Sequence, residues 1–514
     1  MGIGPHEPPL VLGIDVGTQS IRAIVFDRHG SRVADERQPT PVHDLGGGAA
    51  EYDPEELFET VLTCLHGCAR TLNGAPVAGL AVASVGESCV LVDGGGHALA
   101  RAPVWYDRRP DGAAKTLCER IAPERLFEIT GLGPKPILTL AKLLWMQEAA
   151  PDAIRRAKNM CFIADWIAYR LSGVVAADFT LASRTLLLDI HGRRWSREMM
   201  EHAGFDLPLP PLKACGAPLG PVRQDILARI RMEHAPTVCV GGHDHLIGAF
   251  AAGINQPGQL LDSLGTAEAL LLAAPAPSND PAVMHQGFSQ WAVETDKPFS
   301  FFGGGILSHG GAVEWLRHVC GGPPIEEVLA DAAKVPPGSD GVVFLPHLFH
   351  APPPAPDPDA RGAFVGLAQH ISAAAMMRAV LEGLAMQAAR MLDALSALPG
   401  VGPPREIRLI GGGSRSALGV AIKAAVFGRE VKVMDEADAT ALGAAMLGGI
   451  GAGVWPNLDA AVAEAGPNFR VVEPEPAAVE RYKDLRKNVF DPLQAALATT
   501  NHEIAASLRQ DDRR

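Results

Sequence analysis

A chain of 514 residues is too long for one hydrophobic core, because cores stop growing at about 250 to 300 residues, so two domains are expected. Hydrophobic residues at 47% and charged residues at 20% exclude a disordered chain, and a net charge of −13 excludes the broad basic face that nucleic acid or an anionic membrane would require. A small-molecule ligand is expected instead. The eight cysteines, at 64, 68, 89, 118, 161, 215, 239 and 320, form no CxxC pair and no zinc spacing. With no secretory leader in view, they read as reduced thiols of a cytoplasmic protein.

Residues 1 to 9 read as a loose leader, after which the apolar run Val11 to Ile14 passes through Asp15, Val16, Gly17, Thr18, Gln19 and Ser20 into a second apolar run, Ile21 to Asp27. Two strands around a Gly-containing turn predict a β-hairpin. Its chemistry suits a nucleotide phosphate: glycine lets backbone N–H groups approach closely, Thr18 adds a hydroxyl, and Asp15 supplies a hard oxygen for hydrated Mg²⁺. Taken alone, an ordinary hairpin with an Asp turn is the simpler reading. Glu55 to Asn73 carries apolar residues at helical spacing, and Val77 to Val92 reads as strands around Ser84 to Glu87. The pair Cys64 and Cys68, one helical turn apart, is explained by packing.

The run Thr237 to Val240 is an apolar strand ending in Gly241 and Gly242, followed by His243, Asp244 and His245. An Asp at a strand end can reach into a cleft and accept a proton from a substrate hydroxyl. A metal held by the two histidines is disfavoured for want of a third ligand. From Gly258 to Leu272 the hairpin design returns, with Gly265 and Thr266 in the turn, about one domain length after the first. This predicts a duplicated α/β domain with a cleft between the copies. The proline-rich loop from His350 to Pro356 is expected on the surface or the cleft rim. Arg408 to Ile410 is a strand leading through Gly411, Gly412 and Gly413 into a helix from Leu418 to Phe427, a turn where base or ribose can lie on bare backbone. The weakly charged stretch Ala439 to Trp455 reads as a close-packed core helix and loop, and the tail after about residue 498 is expected to carry no chemistry.

In this order the pieces resemble the FGGY family of carbohydrate kinases, of the actin and hexokinase fold group. Residues 10 to 490 are covered, and Trp105 to Arg109, Lys142 to Trp145, Asp165 to Gly173, Gly310 to Leu316, Ala360 to Leu367 and Arg378 to Gly383 add to the likeness. The resemblance implies two ribonuclease-H-like domains, residues 10–254 for sugar and 255–498 for nucleotide, closing over ATP and Mg²⁺. Asp15 then matches the metal-associated aspartate, holding Mg²⁺ through water, with Gly17, Thr18, Gly265 and Thr266 in the phosphate hairpins. Asp244 falls on the catalytic base position. Gly310 and Gly311 approach the nucleotide, and Gly411, Gly412 and Gly413 line the adenosine site.

On the sugar side the implied contacts are Glu87, Trp105, Asp107, Arg109, Asp244 and His245, although an Asp/Arg pair can also simply tie loops together. Glu87 stands where glycerol kinases bind substrate hydroxyls, but Gly86 replaces their arginine and Ile137 their tyrosine. That points to a polyol or ketose other than glycerol. The family's Ala-Asp on the adenosine-side helix is replaced by Ala424 and Ala425. The expected activity is ATP-dependent phosphorylation of a sugar or polyol hydroxyl, with no nucleic-acid or membrane partner and dimerisation left open. An acceptor-independent ATPase and a catalytically silent sugar-binding regulator are the alternatives.

Overall fold

The computed structural model describes residues 9–436 and 438–511, so all of the expected leader but residue 9 lies outside the described residues. In the first half, β1 (Leu10–Val16) and β2 (Ser20–Phe26) form the expected hairpin, and β3 (Arg32–Pro39) extends it antiparallel. Helix α1 (Pro54–Leu72) starts at Asp53, whose Oδ1 accepts the Glu55 N–H at 3.0 Å. Its inner face buries Leu57, Phe58, Val61 and Leu65. Cys64 and Cys68 belong to the same face, and burial pushes both thiols up to about 12, which suits packing rather than metal binding. The sheet is completed by β4 (Val77–Ser84), parallel to β1, by an antiparallel edge strand β5 (Pro218–Pro221), and by β6 (Thr237–His243), parallel to β4. The order is β5-β6-β4-β1-β2-β3. As the central strand, β1 is buried at every position, which is why it is apolar apart from Asp15 at its end.

The second half repeats this plan. β7 (Gln259–Leu264) and β8 (Glu268–Ala274) form the second hairpin; β9 (Ser289–Val293) and β10 (Phe299–Ile306) continue it antiparallel. β11 (Glu406–Ile410) and β12 (Val431–Met434) add parallel strands, and β13 (Phe469–Val472) closes the edge antiparallel. Apart from the extra edge strand β9, order and sense match the first sheet strand for strand. Two ribonuclease-H-like domains of the actin-like ATPase fold therefore stand side by side.

Four helices matter for the site: α2 (Asp244–Ala251) after β6, α3 (His309–Val319) after β10, α4 (Ala417–Phe427) after β11, and α5 (Ala439–Gly451) after β12. α2 and α5 hold equivalent places in the two halves, and together they fill one core between the sheets, with Leu246, Ile247 and Phe250 meeting Leu442, Ala445 and Met446. Their approach is backbone to backbone. A Cβ at Gly443 would be driven into the Ile247 carbonyl, one at Gly13 into the Ala441 carbonyl, and one at Gly79 into the Gly448 carbonyl. The stretch Ala439 to Trp455 is thus a core helix and turn, and among the described residues no helix is long and apolar enough to cross a membrane.

One expectation is corrected. The proline-rich loop is not wholly superficial: Ala351, Pro352 and Pro353 are buried, and the Pro353 carbonyl accepts the Gln387 amide at 2.9 Å. The tail past residue 498 is part of the fold, because α6 (Asp491–Asp511) runs through it and Arg509 pairs with Asp359 at 2.5 Å.

Gly443→Ala tests the crossing, since a methyl group there meets carbonyl oxygen on a helix that cannot yield. A loss of roughly 1–3 kcal/mol is expected in urea or thermal unfolding, and an unchanged midpoint would contradict the close approach.

Candidate active site

Asp15 is the penultimate residue of β1, and the register sets it directly opposite Arg22 on β2. Arg22 Nη1 lies 3.6 Å from Asp15 Oδ2 and donates at 2.6 Å to Asp438, just ahead of α5. Burial raises Asp15 to about 7, with the Asp244 and Asp438 carboxylates adding to the rise and Arg22 and Arg37 opposing it. Asp15 and Asp244, one from each predicted role, are thereby brought together. In the turn, the Gly17 N–H closes on the Ser20 carbonyl at 3.2 Å and the Gly17 carbonyl accepts the Thr40 hydroxyl at 2.7 Å. The N–H groups of Thr18 and Gln19 are bonded to nothing among the described residues.

The second hairpin does the same. The Gly265 N–H closes on the Ala267 carbonyl at 2.9 Å, while the N–H groups of Thr266 and Ala267 have no partner among the described residues. Pairs of outward amides at both turns are suited to anions. The expectation needs one adjustment: the free donors follow the glycines instead of belonging to them. Gly310 and Gly311, at the start of α3, donate to the carbonyls of Gly265 and Thr266, each at 3.2 Å. They hold the turn in place, so they offer a ligand bare Cα surface and no N–H. Gly411 requires glycine on two counts, its φ of 91° and the Leu264 carbonyl 2.7 Å from where a Cβ would be. Gly412 faces open space and Gly413 packs on Leu264.

Asp244 is the first residue of α2. Its Oδ1 accepts the His245 N–H at 2.7 Å and lies 3.5 Å from His243 Nδ1, while Oδ2 accepts no hydrogen bond among the described residues. His245 is exposed beside it. His243 is buried, and burial lowers it to about 4 despite the pull of Asp244 and Glu87, so it is neutral at physiological pH. Its ring explains a departure seen in the sequence. A Cβ at Gly86 would lie 2.5 Å from His243 Cδ2, so the imidazole fills the space that a side chain at 86 would need.

Glu87 is buried with φ of 62°, a costly backbone for a non-glycine residue. Its Oε1 accepts Arg184 Nε at 2.7 Å. Burial would raise this carboxyl, but the charges of Arg184 and Lys142, with the hydrogen bond from Arg184, outweigh it and hold it low. Arg184 Nη1 is buried without a partner, and its guanidinium stacks 5.0 Å from the Trp291 ring centroid of β9, in the other domain. Trp105 lines the same side: its Nε1 donates to the Thr18 hydroxyl at 3.1 Å and its carbonyl accepts Lys142 Nζ at 3.3 Å. Burial lowers Lys142 to about 8.

Asp107 and Arg109 behave differently from the expectation that they face substrate. Both carboxylate oxygens of the fully enclosed Asp107 accept from Arg109, and Oδ2 also accepts the Ala50 N–H at 3.3 Å. Arg109 reaches on to Glu51 at 2.9 Å and stacks on Trp145. The pair ties loops together. Sequence reasoning missed Arg22, Arg184 and Lys142. Arg22 had a signal, since it stands across the predicted turn from Asp15; Arg184 is 97 residues from Glu87 and had none.

No group of three or more His, Cys, Asp or Glu side chains is arranged as a metal cage among the described residues. The carboxylate of Asp15, raised first by burial and then by Asp244, suits instead a hydrated Mg²⁺ held mostly by its own water.

Comparison with known proteins bears on this geometry. The FGGY family of carbohydrate kinases matches with its N-terminal domain over residues 10–251 and its C-terminal domain over 260–452. A glycerol kinase of Aromatoleum aromaticum is 33% identical over 469 residues, 87% of this chain and 91% of its own. An L-fuculokinase of Salmonella typhi is 28% identical, over 92% of this chain and 99% of its own. Among solved structures, a xylulose kinase from Rhodospirillum rubrum superposes with a TM-score of 0.86 at 26% identity, covering 96% of this chain and 100% of its own. A xylulose kinase from Lactobacillus acidophilus superposes with a TM-score of 0.87 at 22% identity, covering 96% and 100%. With both family domains matched in order across two duplicated domains, the chain belongs to the FGGY family of carbohydrate kinases, phosphotransferases that use ATP with Mg²⁺.

Proposed function

We propose that the protein phosphorylates a hydroxyl of a small polyol or ketose, with residues 10–254 holding the acceptor and residues 255–498 the nucleotide. The observation that carries this reading is the matched pair of hairpins, each with two outward N–H groups, beside a carboxylate with a free oxygen. Thr18, Gln19, Thr266 and Ala267 would donate to the transferring phosphoryl group, where charge develops. Asp244 Oδ2 takes the proton of the attacking hydroxyl. Glu87 and the unpartnered Arg184 Nη1 present an acceptor and a donor side by side, which fits a vicinal pair of hydroxyls. His243 and Trp105 shape the wall, and His245 stands at its mouth. Asp15 would hold Mg²⁺ through water, and the bound ion would supply positive charge beside the phosphate oxygens. The relatives are named for fuculose, xylulose, glycerol and autoinducer-2, so the acceptor has to be found by trial. The eight free thiols support a reducing, cytoplasmic setting.

ADP release should depend strongly on one acceptor in a panel of polyols and ketoses. Asp244→Asn should lower kcat by about 10²-fold or more while MgATP affinity, measured by calorimetry, changes little. Release without any acceptor would favour an ATPase, and acceptor binding without turnover would favour a silent binder.

Asp15 sets the acid side of the pH profile. Its value of about 7 lies above the ordinary 3.8, so metal-free protein loses this contribution to stability as pH rises from about 4 through about 7. Mg²⁺ needs the ionised form. Activity should therefore climb between about pH 6 and pH 8, and raising Mg²⁺ should move the acid limb to lower pH. A limb indifferent to Mg²⁺ would contradict the role given to Asp15.

A further inference from the structure

Four titratable side chains are buried under the second hairpin, where apolar packing would have sufficed. Lys423 of α4 donates to Asp262 Oδ2 of β7 at 2.8 Å and to Glu268 Oε1 of β8 at 2.6 Å. The other oxygen of Glu268 bonds His309 Nδ1, at the start of α3, at 2.5 Å. Asp262 Oδ1 has no partner among the described residues. Burying such a set is expensive unless something is gained from it.

The gain is legible at His309. Against its burial, Lys423 and His309 hold Glu268 low, at about 2, so it is a fixed anion that keeps a proton on Nδ1 of His309. Asp262 is raised to about 8, first by burial and then by Glu268, and so adds no second negative charge near neutrality. His309 itself is 8% exposed, and its Nε2 makes no hydrogen bond among the described residues. That nitrogen lies 3.3 Å from where a Cβ of Gly413 would stand, on the side of the glycine turn next to open-faced Gly412. The two residues after His309 anchor the carbonyls of Gly265 and Thr266. A histidine serving packing alone would have both nitrogens satisfied.

We propose that His309 is a nucleotide-binding residue whose Nε2, aimed between the second hairpin and the Gly411–Gly413 turn, meets the phosphate chain of the nucleotide and donates to it when the ring carries a second proton. This rests on the nucleotide site proposed above. Glu268, Asp262 and Lys423 act through His309 as positioning residues.

The test is calorimetric binding of MgADP from about pH 6 to about pH 8 to the wild-type protein and to His309→Asn, whose amide can replace Nδ1–H toward Glu268 but puts nothing at Nε2. The wild type should bind more weakly as pH rises through the imidazole range. His309→Asn should keep the unfolding midpoint, bind about tenfold more weakly at the acid end, and lose the pH dependence that the wild type adds. Equal binding by the two proteins across the range would overturn the role of His309 and leave the nucleotide site standing. No binding by the wild type would remove the site and the inference together. If His309→Asn does not fold, imidazole NMR of the wild type decides: MgADP should raise the pKa of His309, and an unmoved titration would overturn the proposal.

Discussion

The structure depends on one close approach, that of α2 and α5 in the core between the two sheets. Both helices touch backbone to backbone through glycine, and α5 also lies against bare Cα positions at Gly13 and Gly79 of the first sheet. Because the helices are equivalent in the duplicated halves, their N-termini converge from opposite domains. One starts on Asp244 and the other just after Asp438, so two carboxylates arrive beside Asp15 at the end of the central strand. A helix N-terminus favours anions, which makes this a place where extra negative charge can be tolerated.

The crowding has a second consequence. Asp438 is held by Arg22, Arg32 and Arg37 from the first hairpin and its neighbour, and Arg22 also faces Asp15. The seam between domains is therefore ionic at its rim and apolar within. The Thr440 hydroxyl, bonded to the Asp244 carbonyl at 3.3 Å, adds a link from α5 to the start of α2. Any rotation of one domain on the other would alter the field at Asp15 and Asp244 together, so domain position and ionisation of the site are coupled through the same contacts.

Much of this was readable beforehand. The Gly-Thr turns between apolar runs, repeated about one domain apart, predict both hairpins and the duplication, and the strand-end glycines before Asp244 predict where it projects. Glu87 and Trp105 were reached through resemblance. What could not be read lies in contacts of long range: Arg184 on Glu87, and Lys423 on Asp262 and Glu268, 161 and 155 residues away. Asp107 and Arg109 show the opposite problem, for a charged pair two residues apart looks alike in a pocket and in a loop, and only the enclosure of Asp107 decides. The final helix through residue 511 is not among the predicted elements, since the sequence past 498 carries no turn signal or motif that marks it.

The most direct test of this account is the ionisation of Asp15 itself, followed by ¹³C-carboxyl NMR and assigned by Asp15→Asn. Burial at the domain seam, reinforced by the Asp244 and Asp438 carboxylates, predicts a midpoint near 7 in metal-free protein, falling when Mg²⁺ and nucleotide are added. A midpoint near the ordinary 3.8, unmoved by either, would contradict the burial of Asp15 beside Asp244 and Asp438.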